Sequence, residues 1–495
     1  MHGKDDSMKT ILHKISFLIT GSLILPAILV CSTMPVRTAA SFEIPGSCQA
    51  QADNGVAYTV KTLDYDYDHN TYLSLRDIAM ALQDTDKSFS LEITKNAVSL
   101  DMGNTYTPVG EENIPWESDG NPDISLWQNE FKVSGQKVSY YTLIVKLPSG
   151  YYDCFMMAVD IAMLLDVDIA VSDAGFLRIH TGEPFGVSPV ALEQAGYFYG
   201  VNSVLVGDAT TGEIYYRYQS DMSYPVASTS KLMTCLLAMD ALSAGRITLE
   251  EQITISNAAQ ALADSDDGVL PLEAGKQITV QELLQGALLP SSNECALCLA
   301  EAIAGSEEAF VRGMNQKALE LGLSQAVFYN CHGLPSYTED AIPTKRQNRM
   351  SAEDMFRLVS YILKVYPQIT DITSLESAVL PSLGLEVRNT NPILHNLPGV
   401  TGLKTGTTNK AGACLVTSLT VDGGDMEHDL AVIVLGTEDS IERGRVSELL
   451  ARYARQTFYA GVEKSEGGAS ARPSGNLPIH AEAAVDWILR TARKH

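Results

Sequence analysis

Three short groups of residues could do chemistry, and they occur in one order: Ser228-Thr229-Ser230-Lys231, Ser291-Ser292-Asn293 and Lys404-Thr405-Gly406-Thr407. A free serine hydroxyl is a weak nucleophile and needs a base held against it. On a helix, positions i and i+3 share a face, so Lys231 can reach Ser228. Pro225 sets the expected helix start just before Ser228, which would put the hydroxyl at the positive end of the helix dipole. Burial and the nearby cation of Lys404 would lower the lysine's pKa enough for it to act as a base. After the break at Pro290, Ser291 can relay a proton between Lys231 and a leaving amine, and Asn293 offers a donor and an acceptor to a peptide backbone. Lys404 can pair with a terminal carboxylate, Thr405 adds a hydroxyl, and Gly406 leaves room for a substrate strand. The Thr407 and Ser228 amides can form an oxyanion hole. Taken singly, a Ser-capped helix, a Ser-Ser-Asn N-cap and a polar hairpin edge explain each motif as well. Their order and setting carry the weight.

To bring these residues together the chain must fold back on itself. Val201–Val206 and Glu213–Tyr218 read as strands joined by the turn 207–212. Ala413–Val421 and Asp429–Leu435 read as strands around Asp422-Gly423-Gly424-Asp425. Between them lie helical patterns: Leu232, Met233, Leu236, Leu237 and Met239 up to Gly245, then Val280–Leu289, Ala296–Ala304 and Ser351–Tyr366. Strands at both ends with helices between predict an α+β domain over 187–462. It would be a helix-covered antiparallel sheet that closes only if its ends pair.

Residues 42–186 carry no catalytic motif. Asp77-Ile78-Ala79-Met80-Ala81-Leu82 recurs, 83 residues later, as Asp160-Ile161-Ala162-Met163-Leu164-Leu165. Matching strand-like flanks predict a small α+β domain of two repeats. Upstream, Lys9 and Lys14 precede the apolar run Ile15–Cys31 and the small residues Thr38-Ala39-Ala40, so 1–40 is expected to be a cleaved signal peptide. An uncleaved anchor is the alternative, against which stand the run's length and Pro26. Residues 463–495 read as a Gly/Ser/Pro-rich linker followed by a short helix over 480–494, which would touch a membrane surface or cap a core.

The chain's length of 495 residues suggests two to four domains, and its formal charge of −25 argues against nucleic acid, whose phosphates need cationic partners. Loss of a leader carrying +2 would leave −27. Seven cysteines would then remain, an odd and scattered set that is not a disulfide framework. Cys295 and Cys298 form a C-x-x-C, but in an apolar helical pattern with no second pair, so packing is expected. No metal or organic cofactor is implied. The run Asp264–Gly268 lacks the spacing of a calcium loop, and His69 and His180 form no ligand cluster.

Together with Pro225–Thr234, Gly402–Gly406, Asn330-Cys331-His332-Gly333-Leu334, Asn389-Thr390-Asn391 and Ala411-Gly412, the three motifs make residues 190–440 resemble a known family. That family is the serine D-alanyl-D-alanine carboxypeptidases among the penicillin-binding proteins. The resemblance implies a β-lactamase/transpeptidase-like fold and a hydrolase whose Ser228 is acylated by peptidoglycan stem peptides ending in D-Ala-D-Ala. It implies β-lactams as covalent inhibitors and a secreted or extracytoplasmic place at the cell envelope. Ser228, Lys231 and Ser291 would be catalytic, and Asn293, Lys404, Thr405, Gly406 and Thr407 would bind substrate. His332 is structural in the family's pattern. Ser292 stands where the family often has Gly, Glu294 where it often has Asp, and Thr401 replaces a usual acidic residue. The repeats resemble stalk modules named after the N-terminal domain of copper amine oxidases, with no copper implied. Three other readings share these motifs: a β-lactamase, a D,D-endopeptidase, and a non-hydrolytic penicillin-binding sensor or wall-binding scaffold.

Overall fold

Residues 42–180 fold as two interleaved copies of one pattern. In the first, β1 (Phe42–Ala52), β2 (Ala57–Tyr65) and β3 (Asn70–Ser74) lead into α1 (Leu75–Ala81) and the hairpin β4 (Phe89–Ile93)–β5 (Ala97–Met102). In the second, β6 (Asp123–Trp127), β7 (Glu130–Val133), β8 (Gln136–Val138), β9 (Thr142–Lys146) and β10 (Tyr152–Met157) lead into α2 (Ala158–Leu165) and the hairpin β11 (Asp168–Val171)–β12 (Leu177–His180). The strands preceding the two helices pair antiparallel, with Ser74 opposite Phe155. Each copy's last strand crosses to the other copy: β12 lies parallel to β1 and β5 parallel to β7. The result is an eight-stranded sheet, β11-β12-β1-β2-β3-β10-β9-β6, and a four-stranded one, β4-β5-β7-β8. Leu73, Ile78, Phe155 and Ile161 are fully buried among them.

This computed structural model describes residues 42–466 apart from 66–69, 116–122, 128–129, 172–175, 183, 187, 195–197, 199 and 338–343. The expected leader and the expected helix over 480–494 lie outside the described residues. From Phe42 onward the chain forms a single unit.

The second half contains β13 (Ser203–Asp208), β14 (Ile214–Tyr218), α3 (Lys231–Ser243), α4 (Val280–Leu288), α5 (Asn293–Ala304), α6 (Glu307–Glu320) and α7 (Ala352–Val365). It ends in β15 (Val400–Thr408), β16 (Gly412–Asp422), β17 (Glu427–Thr437) and α8 (Ser440–Glu466). The ends pair as the sequence requires: Ser203 sits opposite Leu435 and Asp208 opposite Leu430, giving the antiparallel order β14-β13-β17-β16-β15. Successive side chains on these strands point to opposite faces. Leu205, Val416 and Ile433 enter the core built with α3, α5 and α7, while Val204, Leu419 and Val432 enter a core shared with α8 and the repeat region. α5 ends at Gly305 in the left-handed conformation, and α7 is capped by Ser351, whose side chain accepts from Asp354 N.

The sequence reading did not anticipate α8. Val446, Leu449, Leu450, Ala454 and Phe458 recur at helical spacing and are buried. The helix runs to Glu466, so Glu463–Glu466 belong to it and not to the linker expected from Glu463. α8 also fastens the repeat region. Arg445 grips Asp160 with two bonds of 3.0 and 3.1 Å, and Tyr140 OH donates to Glu448 at 3.0 Å. The two repeated aspartates thus do different work: Asp77 accepts from Lys61 inside its own copy at 2.8 and 3.1 Å, while Asp160 ties its copy to α8. Among the described residues no helix is long and apolar enough to cross a membrane.

Candidate active site

Ser228 lies in a 3₁₀ turn, Ala227–Ser230, that precedes α3, so the helix begins at Lys231 and not near Pro225. Tyr224-Pro225 instead pairs with Arg349-Met350. The spacing argument survives because i and i+3 also align in a 3₁₀ turn. Lys231 Nζ donates to Ser228 Oγ at 2.9 Å, to Asn293 Oδ1 at 2.7 Å and to the His332 carbonyl at 2.9 Å. Its side chain is fully buried, and burial pulls its pKa from 10.5 down to about 8. Repulsion between the Lys231 and Lys404 ammonium groups acts on both of them. Lys404 is buried and held well below its ordinary range, first by desolvation and then by the charge of Lys231. Ala227 has φ 47°, a left-handed conformation unusual for a residue with a Cβ, directly before Ser228. Across from it Gly333, at φ 95°, would place a Cβ 2.1 Å from the Ala227 carbonyl oxygen, so only glycine fits.

β15 is the sheet edge beside this turn. Lys404 Nζ donates to the Thr405 carbonyl at 3.1 Å, and the Thr405 and Thr390 hydroxyls share a 2.6 Å bond. Gly406 was expected to make room for substrate. A Cβ there would lie 2.8 Å from both Ser228 N and Thr229 N, so the space of the missing side chain is taken by the backbone of the Ser228 turn. Thr407 is exposed, and its hydroxyl accepts from Arg443 Nη1 at 3.2 Å.

The second motif divides. Asn293, expected to offer its amide to a peptide backbone, has a partner on each polar atom within the chain. Oδ1 takes Lys231, and Nδ2 donates to the Asp267 carbonyl at 2.8 Å. Ser291 sits at φ 70°, partly exposed, and among the described residues its hydroxyl makes no hydrogen bond, to Lys231 or otherwise. The departures from the family pattern have local uses. Ser292 caps α5 by accepting from Cys295 N at 3.0 Å, Glu294 Oε1 accepts from the Val269 and Leu270 amides, and Thr401 bonds Ser418 at 2.8 Å. Cys295 packs where Gly286 lacks a Cβ, and burial raises the Cys298 thiol to about 12, which fits the packing reading of the C-x-x-C.

His332 lies behind Lys231. Burial, and then the Lys231 charge, drop its pKa to about 3, so the ring is neutral. Nδ1 accepts the Leu334 N–H at 3.2 Å, which leaves the ring proton on Nε2, 3.5 Å from Glu307 Oε1. Glu307, Cys331 and His332 could supply three metal donors, but a metal on Nε2 would force a proton onto Nδ1 against that N–H. The ring is a brace, and its carbonyl holds Lys231.

The family profile described as D-alanyl-D-alanine carboxypeptidase (Peptidase_S11) matches residues 199–439. A D-alanyl-D-alanine endopeptidase of Pseudomonas aeruginosa is 32% identical over 228 residues, 44% of this chain and 67% of its own length. The chain belongs to this family. It is 36% identical over 219 residues, 44% of this chain, to a D-alanyl-D-alanine carboxypeptidase of Bacillus subtilis, of whose length it spans 53%, about half. Among solved structures it is similar to a peptidoglycan synthesis regulatory factor of Streptococcus pneumoniae (32% identity, TM-score 0.47, 52% of this chain and 73% of that one). It is also similar to penicillin-binding protein D2 of Listeria monocytogenes in its ampicillin-bound form (25%, 0.44, 52% and 97%).

Within this peptidase family member, three residues that sequence reasoning did not single out shape the site. Asn348, fully buried, donates to Ser230 Oγ at 3.0 Å and to the Asn330 carbonyl at 2.9 Å, while its backbone oxygen accepts from Val226 N at 3.1 Å. It clamps the Ser228 turn to the His332 loop. Thr390 braces Thr405 and lies in the Asn389-Thr390-Asn391 phrase, a signal that was available. Arg443 is 7% exposed, bonds Thr407, and has an Nε with no hydrogen-bond partner. No local motif marks it.

Proposed function

We propose that this chain is a serine D-alanyl-D-alanine carboxypeptidase that removes the terminal D-alanine from peptidoglycan stem peptides through an acyl-enzyme at Ser228. One observation carries the reading: a fully buried lysine with its pKa near 8 stands 2.9 Å from the serine hydroxyl. As a free base, Lys231 takes the Ser228 proton while Oγ attacks the penultimate D-Ala carbonyl. The amides of Ser228 and Thr407 face the developing oxyanion. The substrate's carboxylate would pair with Lys404, which burial and the charge of Lys231 hold well below its ordinary range, and Arg443 reinforces that end. Ser291, with its hydroxyl uncommitted, carries the proton on to the leaving amine. Asn293 and His332 hold Lys231 in place. Water then hydrolyses the ester. β-Lactams enter the same pathway and stay bound to Ser228.

On this reading 1–40 is a leader, 42–186 two interleaved stalk-like repeats, 187–466 the catalytic domain and the remainder a tail, with the enzyme outside the cytoplasm at the cell envelope. The deciding experiment measures D-alanine release from a peptide ending in D-Ala-D-Ala. The native protein should release it and Ser228→Ala should not. A folded native protein that releases none would sink the assignment in favour of the sensor or lactamase readings.

A further inference from the structure

The acidic run Asp264–Gly268 follows the short helix Asn257–Ala263, and Asp264, Asp266 and Asp267 are exposed. The turn is closely fixed even so. A Cβ on Gly268 would lie 2.0 Å from the Ala263 carbonyl oxygen, so the chain returns against the helix end only with glycine there. Beyond it Leu270 is buried against the bare face of Gly286, where an added Cβ would lie 3.3 Å from Leu270 Cδ1. The run meets the site through one bond. The Asp267 carbonyl accepts from Asn293 Nδ2 at 2.8 Å, and Asn293 Oδ1 accepts from Lys231 Nζ at 2.7 Å.

Glu294, beside Asn293 in the first turn of α5, holds the run in place. Its Oε1 accepts from Val269 N at 3.1 Å and from Leu270 N. The side chain is fully buried, no cation pairs with it among the described residues, and its Oε2 has no hydrogen-bond partner. A buried carboxylate left so incompletely bonded costs stability, so its gain must lie elsewhere. Lys231 is faced by Glu294 and Cys295 of α5, Cys235 of α3, Cys331 and His332 of the 330–334 loop, and Lys404 of β15. Burial pushes all three thiols far above their ordinary range, and His332 is neutral, so near pH 8 none of these four is charged. Glu307 of α6 is turned to the Cys331 amide at 3.0 Å. Burial lowers the Lys231 pKa, and the charge of Glu294 opposes that fall.

We propose that Glu294 is a positioning residue for the general base, acting through Asp267 and Asn293 to hold Lys231 against Ser228. The proposal rests on the acyl-enzyme reading above. Reach and charge do separate things here. The bonds to Val269 and Leu270 set the loop that steadies Asn293, and the charge keeps Lys231 protonated to a higher pH. The aspartate often found here in the family is one methylene shorter, too short for this loop.

Glu294→Gln keeps the length and an accepting oxygen but removes the charge, and Glu294→Asp does the reverse. The assay is single-turnover acylation by a fluorescent penicillin from pH 5 to 10, with Ser228→Ala as the blank. The glutamine variant should lose less than about threefold at the plateau, while its rising limb moves about one pH unit below the native limb near 8. The aspartate variant should lose about tenfold or more at the plateau and keep its limb. Gly268→Ala displaces the loop without touching Glu294 and should match that loss. Equal losses for both Glu294 variants with unmoved limbs would mean that Glu294 only supports the fold, and would overturn the proposal. So would a native plateau in Glu294→Asp or in Gly268→Ala. A native protein that is never acylated sinks the acyl-enzyme reading by itself. NMR titration of the Lys231 amine, assigned with Lys231→Met, then decides the positioning role: a lower midpoint in Glu294→Gln than in the native protein supports it, and an equal one overturns it.

Discussion

Replacing Asn293 by aspartate would put a negative charge where Oδ1 now accepts from Lys231 Nζ at 2.7 Å. In the native protein burial holds that lysine near pH 8. About a tenth of it is then free base at pH 7 and about nine-tenths at pH 9, so acylation should climb through this range and level off above it. An opposite charge within ~4–6 Å raises a lysine pKa by about 1–3 units, which would move the limb to roughly pH 9–11. At pH 8 the free-base fraction would fall from about one half to between about a tenth and about a thousandth, and acylation by about fivefold to about 500-fold. The assay is single-turnover acylation by a fluorescent penicillin from pH 6 to 10, with Lys231→Met as the blank. A native profile flat between pH 7 and 9 would refute the free-base lysine. A variant that loses rate uniformly while its limb stays near 8 would show that the limb belongs to another group.

Gly406→Ala should leave the sheet intact and slow acylation about 100-fold, because its Cβ would press on Ser228 N and Thr229 N at 2.8 Å and displace the nucleophile turn; a near-native rate would mean the turn yields freely. Lys231 is also a stability liability. Its pKa falls from 10.5 to about 8 on folding, so below pH 8 its charge costs about 3 kcal/mol. Between 8 and 10.5 the unfolded chain binds the extra proton and stability rises with pH. Urea unfolding of native protein and Lys231→Met at pH 7 and 9.5 should therefore show the gap between them shift by about 2 kcal/mol in favour of the native protein, and an unmoved gap would contradict the shift. Arg445→Ala breaks a bidentate, largely buried pair with Asp160 and should cost about 3 kcal/mol in the same measurement, whereas a loss below about 1 would show the repeat region is held by other contacts.

What could be read from sequence was what is local. Ser228 and Lys231 are three residues apart, and any helical turn brings them together. The strand patterns around 203–208 and 427–437 demanded partners and found each other. The neighbours of Gly406 and Asn293 within the chain are not legible from sequence, because what fills a glycine's space or takes an amide's bond can lie over 60 positions away, Lys231 for Asn293 and Ser228 for Gly406. Arg443 and Asn348 belong to no short pattern and matter only through where α8 and the Arg349-Met350 strand bring them. α8 is different, since its apolar period stands in the sequence. The recurrence of six residues stands in the sequence. The strand exchange between the copies does not, because pairing register between distant strands leaves no mark in either copy.

That exchange determines how far the repeat region can reach. The chain comes in along β1 and goes out along β12, its parallel neighbour, with Ala52 level with Ile179. Two such units joined end to end would carry whatever follows outward by the sum of their lengths. Here the path from Phe42 to His180 advances by about the length of one eleven-residue strand, roughly 35 Å, and the rest of the segment is spent on breadth. The region is a poor boom and a good flange: it adds breadth against α8 and little reach along the path of the chain.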